Sequence, residues 1–170
     1  MRDTVDDAAR RTGHTIRDIE FSRVDGYRPL SADLHLPAGP PSAVDGNDTT
    51  PVVVFVHGGG WFRGSRRMFC PGFDDDATFG AITARGWAVL SVDYRLSSEA
   101  VFPAPLQDVE GALDWLRDVG ADEFGLDVDR VVLWGESAGA HLAALAALRN
   151  PDRVRAVIGK PEISPMTPLA

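Results

Sequence analysis

The chain lacks most of the features that would set it apart from an ordinary soluble domain. It has one cysteine, Cys70, in 170 residues, which excludes an internal disulfide framework and fits a reducing compartment. That cysteine sits in a loop-like stretch without metal-ligand spacing, so neither a metal site nor a reactive thiol is expected there. No apolar run approaches the roughly 20 residues of a membrane span. The charged opening Met1-Arg2-Asp3-Thr4-Val5-Asp6-Asp7 has no apolar core of signal-peptide length, and a cytoplasmic setting is expected. Basic residues are outnumbered 17 to 25, for a net charge of -8, and form no cluster. The electrostatic footprint of a nucleic-acid binder is therefore missing. There is no internal repeat and no low-complexity tract.

What is present suffices for one domain with a real core, at 44% apolar and 25% charged residues. Residues alternate from Thr15 to Ser22 and from Leu30 to Leu36, with the turn Asp25-Gly26-Tyr27 between them. This predicts an antiparallel pair at one edge of a sheet. A loop rich in proline, glycine and aspartate follows, from Pro37 to Pro51. The pattern then changes to continuous apolar runs, at Val52 to Val56, Trp87 to Val92, Val131 to Trp134 and Val154 to Gly159, which are strands buried on both faces. Helices are expected between them at Phe73 to Arg85, Pro105 to Val119 and Ala138 to Leu148. The middle one carries Leu106, Val109, Leu113 and Leu116 on a single stripe. The fold class is α/β, with a mainly parallel sheet and covering helices. Residues 160–170 hold three prolines and are expected to be coil.

Two motifs carry chemistry. Gly135-Glu136-Ser137-Ala138-Gly139 follows a strand and precedes a helix, the setting in which a serine is held on a sharp turn with its oxygen exposed. A serine there can also simply cap the helix. The run His57-Gly58-Gly59-Gly60 leaves an earlier strand. Gly58 and Gly59 are placed to turn backbone N–H groups toward an oxyanion, joined by the N–H of Ala138, and the alternative is a plain glycine-rich turn. Gly60, Gly135 and Gly139 support these turns. His57 leaves the strand just before the hole and is read as ordering that loop rather than as a general base. His141, one helical turn beyond Ser137, is read as a packing residue. His14 and His35 lie in the early edge region without identifiable partners. Trp61 either lines an acyl pocket or covers the loop. Asp93-Tyr94-Arg95-Leu96 ends its strand on the ligand side of an open α/β sheet and reads as a structural holder of neighbouring loops. The segment from Gly125 to Arg130 reads as a turn feeding a strand.

The order His57-Gly58-Gly59-Gly60-Trp61, Asp93-Tyr94-Arg95-Leu96, Phe102-Pro103-Ala104 and Gly135-Glu136-Ser137-Ala138-Gly139-Ala140-His141-Leu142-Ala143 resembles the α/β-hydrolase esterases of the hormone-sensitive-lipase and feruloyl-esterase-like (BD-FAE-type) branch. The resemblance runs from about Pro51 to Ile158. It implies a carboxylesterase acting on small acyl esters, without metal or organic cofactor, with Ser137 as nucleophile and Gly58, Gly59 and Ala138 as the oxyanion hole. Residues 1–159 then form the N-terminal part of an α/β-hydrolase domain, and 160–170 a proline-rich tail.

The chain departs from that pattern near Gly159. In such hydrolases the acid and the histidine follow the serine in chain order, and residues 138–170 offer only His141 and Asp152. The expectation is a truncated, nearly inactive esterase. The alternatives are a non-catalytic fragment that needs a partner chain, or a parent protein that is an arylformamidase or a peptidase. The strand from Val154 would then stand at an uncovered sheet edge, open to self-association.

Overall fold

The computed structural model describes residues 13–39, 48–68 and 75–160. Cys70, the beginning of the helix expected from Phe73 and the coil expected after Lys160 lie outside them. Six strands form one sheet: β1 (His14–Ser22), β2 (Leu30–Leu36), β3 (Thr50–Val56), β4 (Ala88–Val92), β5 (Leu126–Glu136) and β6 (Ala156–Lys160). Their order is β1-β2-β4-β3-β5-β6. The expected antiparallel pair is present, with β2 also antiparallel to β4. From β4 through β3 and β5 to β6 every pairing is parallel.

Strand alternation divides the core between two faces. Val52, Val54 and Val56 of β3 join Leu90, Leu133 and Leu34 on one side. There the helices α2 (Ala104–Trp115) and α4 (Ala138–Arg149) cover the sheet with Leu106, Val109, Leu113, Leu142, Ala143 and Ala146. Val53 and Phe55 take the opposite side with Val89, beneath Phe79 of α1 (Asp75–Thr83). Phe55 meets Phe79 and Trp134 edge-on, at 5.3 and 5.2 Å between ring centres. All seven residues of β3 are buried, so the strand that carries the His-Gly-Gly-Gly loop is the rigid middle of the sheet.

Four expectations need correction. The strand expected from Val154 to Gly159 is not buried on both faces, since every residue of β6 is exposed. The middle helix does not stop at Val119. It widens into one π turn over Leu116–Gly120 and continues as α3 (Ala121–Phe124). Gly120 keeps a right-handed helical backbone, wedged against Trp115, Leu116 and Leu126, and the stop is Gly125, left-handed at φ 66°. The segment after Gly125 is not a turn. Strand β5 already begins at Leu126, paired with Thr50, and the register then jumps so that Val131 faces Val52, leaving Val128, Asp129 and Arg130 as a bulge. Asp127 holds that bulge, accepting from Thr49 Oγ1 at 2.8 Å, the Asp129 N–H at 3.0 Å and Arg130 Nε at 2.6 Å. Finally, Lys160 does not open the tail but closes β6.

Candidate active site

The site forms where β3 and β5 end side by side. Val56 is in register with Gly135, so His57-Gly58 and Glu136-Ser137 leave the sheet as neighbours. Glycine is required by proximity at the crossing. A Cβ on Gly139 would run into the carbonyls of Val56 and His57, and one on Gly135 into the backbone of Gly139 and Ala140. Only bare backbone lets α4 start this close to β3.

Ser137 occupies the turn with φ 51° and ψ -112°, one of three described non-glycine residues at positive φ. Its side chain makes no capping hydrogen bond to α4. Its backbone is held tightly, the N–H donating to the Lys160 carbonyl at 2.9 Å and its own carbonyl accepting from Ala140 and His141 at 3.0 and 3.3 Å. The N–H of Ala138, in the first turn of α4, is one of the helix donors that have no partner within the helix. The positive end of the helix dipole adds to it.

The His57–Gly64 loop is folded by contacts that sequence reading only partly anticipated. His57 is buried and stacks on Tyr94, with ring centres 4.2 Å apart and planes 12° from parallel. Its Nδ1–H donates to the Gly58 carbonyl at 2.7 Å, which fixes the tautomer. Burial pushes its pKa down, keeping the ring neutral. The Tyr94 hydroxyl donates to the His57 carbonyl at 3.0 Å. Gly59 turns the chain back, its carbonyl accepting from the N–H groups of Phe62 and Arg63. Trp61, 40% exposed, meets the ring of His141 edge-on at 5.6 Å, and its carbonyl accepts from the Ser97 N–H at 2.7 Å. The loops after β3 and β4 and the first turns of α4 thus form one rim.

Beneath the rim lies a buried ionic clamp. Arg66 donates from its backbone N–H and its Nη1 to Asp93, at 2.8 and 2.5 Å, and from Nε to Asp33 at 2.9 Å. Arg67 Nε reaches Asp33 at 2.7 Å. Burial disfavours the charge on Asp33, but hydrogen bonds from Arg67, the Asp18 N–H and Arg66 outweigh it and hold the carboxyl far below the usual range. Arg95, next along β4's outgoing loop, is locked onto buried Asp108 from both Nε and Nη2. Sequence reading assigned Asp93 such a holding role but missed Asp33, which occupies the polar position of an alternating strand. It also missed Glu136, buried against the Gly58 backbone so closely that a Cβ on Gly58 would collide with its carboxylate.

The four histidines are all described, and no hydrogen bond joins the Ser137 side chain to any of their rings. His35, expected to lack partners, shares a hydrogen bond with Thr15 at 3.0 Å and packs on Phe79. His14 has a buried Nδ1 without a partner. It lines a cavity of about 580 Å³ with Leu36, Thr50 and Phe124, at the other end of the sheet from Ser137. Among the described residues no group of three or more histidine, cysteine, aspartate or glutamate side chains is arranged to hold a metal ion, and no helix is long and apolar enough to cross a membrane.

The sequence profile of the BD-FAE family matches residues 33–161. Esterase LipC of Mycobacterium tuberculosis is 40% identical over 102 residues, which is 60% of this chain and 24% of that protein. The carboxylic ester hydrolase LipN of the same organism is 37% identical over 112 residues, 65% of this chain and 28% of its own length. Among solved structures, esterase B from Lactobacillus rhamnosis superposes with a TM-score of 0.66 at 28% identity, over 91% of this chain and 50% of that one. The fold is that of the α/β-hydrolases. The chain spans between about a quarter and about a half of the length of these relatives.

Proposed function

Because the chain belongs to the BD-FAE family, we propose that it carries the nucleophile and the oxyanion hole of a serine carboxylic-ester hydrolase that works through an acyl-enzyme on Ser137. The observation that carries this reading is the backbone of Ser137, held at φ 51° while its hydroxyl leaves the helix uncapped. A strained residue whose side chain serves no local structure is free for chemistry. In this reading Ser137 Oγ attacks the acyl carbon, and the N–H groups of Gly58, Gly59 and Ala138 receive the charge that develops on the carbonyl oxygen. Each such donor is worth about 3 kcal/mol in the transition state. His57, neutral and engaged with Gly58, orders the loop, and Trp61 borders the acyl side.

Small acyl esters are the substrate class, supported by relatives named esterase and carboxylesterase. Arylacetamide deacetylase of Oryctolagus cuniculus, 37% identical over 110 residues, supports amide cleavage as the alternative reaction. The single cysteine fits a cytoplasmic setting. A serine needs an imidazole to take its proton and a carboxylate to orient that imidazole, and we infer that both come from outside the residues of this chain. A second reading, a fragment completed only by a partner chain, is favoured by the exposure of every β6 residue.

The test pairs an assay with a covalent label. Turnover of p-nitrophenyl butyrate should stay near background, since loss of the histidine in a serine hydrolase costs about 10⁶ in kcat. A fluorophosphonate should still label the chain slowly, and Ser137→Ala should abolish that labelling. Labelling that survives Ser137→Ala removes Ser137 from the role. Robust turnover lost in Ser137→Ala would instead place a base within the chain or in a second subunit.

A further inference from the structure

Among the described residues five carboxylates are buried, those of Asp33, Asp93, Asp108, Asp127 and Glu136. Arginines hold the first four: Arg66 and Arg67 on Asp33, Arg66 on Asp93, Arg95 on Asp108 and Arg130 on Asp127. Glu136 is set apart by the backbone that its carboxylate touches. It ends β5 immediately before Ser137. Because Val56 is in register with Gly135, its side chain meets the chain that leaves β3. A Cβ on Gly58 would collide with Glu136 Oε2 and come within 2.9 Å of its Cδ and 3.0 Å of its carbonyl oxygen. Gly58 is not among the glycines at positive φ, whereas Gly59 has φ 113° and Gly60 φ 64°. Its backbone therefore does not itself demand glycine, and what excludes a side chain there is chiefly the Glu136 carboxylate.

We propose that Glu136 is a positioning residue for the oxyanion hole, a backstop on which the Gly58 Cα rests and whose shape aims the Gly59 N–H. The inference rests on the reading of Ser137 as the nucleophile. The peptide that joins Gly58 to Gly59 is planar, with its C=O and N–H pointing in opposite directions. His57 Nδ1–H holds the C=O of that peptide at 2.7 Å, and Glu136 supports the Cα at its edge. With both held, the Gly59 N–H is aimed before a substrate arrives. Glu136 also acts on the other anchor of the loop. The Tyr94 hydroxyl donates to the His57 carbonyl at 3.0 Å, and burial together with the charge of Glu136 pushes its pKa up, which keeps this donor protonated.

Oxyanion donors stabilise charge only when they are fixed in advance, and a misplacement of about 1 Å can cost about 10²-fold in rate. The role assigned to Glu136 is one of shape, with no proton passed to or from it.

Two readouts on the whole chain test this. The amide signals of Gly58 and Gly59 in a nitrogen-correlated NMR spectrum report the loop without any chemistry at Ser137, and the rate of fluorophosphonate labelling reports the hole. Glu136→Ala should move both signals and slow labelling about tenfold or more. Glu136→Gln, which keeps the shape and removes the charge, should recover most of that rate. Gly58→Ala should also slow labelling, but in the Glu136→Ala background its methyl enters the space that the carboxylate leaves. The double variant should therefore label about tenfold faster than the product of the two single losses predicts. Glu136→Asp, which draws the carboxylate back by one methylene, provides the same comparisons if Glu136→Ala does not fold. Unmoved glycine amides, Glu136→Gln as slow as Glu136→Ala, strictly multiplicative losses, or a lowered urea midpoint with the labelling rate of the folded protein unchanged each overturn the proposal. If the wild-type chain takes no label, the reading of Ser137 falls, and the amide signals with the urea midpoints of the same variants still decide whether Glu136 holds the loop.

Discussion

Ser137 is where a single residue bears most on this molecule. Its backbone is held in a region that costs an L-residue about 1–3 kcal/mol, and the surroundings enforce it through Gly135, Gly139 and the bond to Lys160. Ser137→Gly should therefore stabilise the fold by about 1 kcal/mol, the relief of strain outweighing glycine's larger unfolded-state entropy. A raised urea midpoint is the check, and an unchanged or lowered one would show that the turn is relaxed. The positions of Ser137, Ala138, Gly58 and Gly59 were legible because glycine spacing after a buried strand is a local signal. The neighbours that hold them were not. Tyr94 stacks on His57 from 37 residues away, and Glu136 presses on Gly58 although nothing in its own surroundings marks it as buried. Pairings between remote residues leave no trace in local pattern.

At the scale of elements, strands were read more accurately than helix ends. Continuous apolar runs mark a strand with two covered faces, and β3 and β4 are buried at every residue. Helix termination depends on which glycine actually turns the chain. Gly120 keeps helical angles inside the helix, where a Cβ would press on Leu126, Leu116 and Trp115 at 3.2–3.3 Å, whereas Gly125 adopts the left-handed conformation and its N–H reaches back to the Ala121 carbonyl at 3.1 Å. A Cβ on Gly125 would meet nothing within 4 Å, so Gly125→Ala isolates the conformational term. It should cost about 1 kcal/mol, measured by chemical denaturation, and a neutral result would mean that another residue stops the helix.

Over the whole molecule, the clamp of Asp33, Asp93, Arg66 and Arg67 ties the glycine loop to β2 and β4. Its carboxyl chemistry predicts a pH dependence. The folded pKa of Asp33 lies below its unfolded value of about 3.9, so its contribution is complete above that unfolded value and is lost as pH falls toward the folded one. Glu99 and Asp127, whose burial is outweighed by bonds from Arg28 and Arg130 respectively, act with the same sign. Stability should therefore drop on acidification below about pH 4. Asp33→Asn should cost about 2 kcal/mol near neutrality and make that drop shallower without removing it. Urea midpoints across the acid range decide the matter, and parallel pH curves for the two proteins would exclude Asp33 as a main contributor.

The sequence by itself determined the α/β class, the antiparallel edge pair followed by parallel strands, and the place of the two glycine motifs at strand ends. Each of these follows from local periodicity and from backbone space that only glycine allows. Tertiary structure decided what spacing does not encode. It brought the ends of β3 and β5 together, buried Asp33 among arginines and set His57 on Tyr94. The physical reason is that burial and pairing are properties of neighbours in space, and those neighbours are fixed only when the sheet closes around its core.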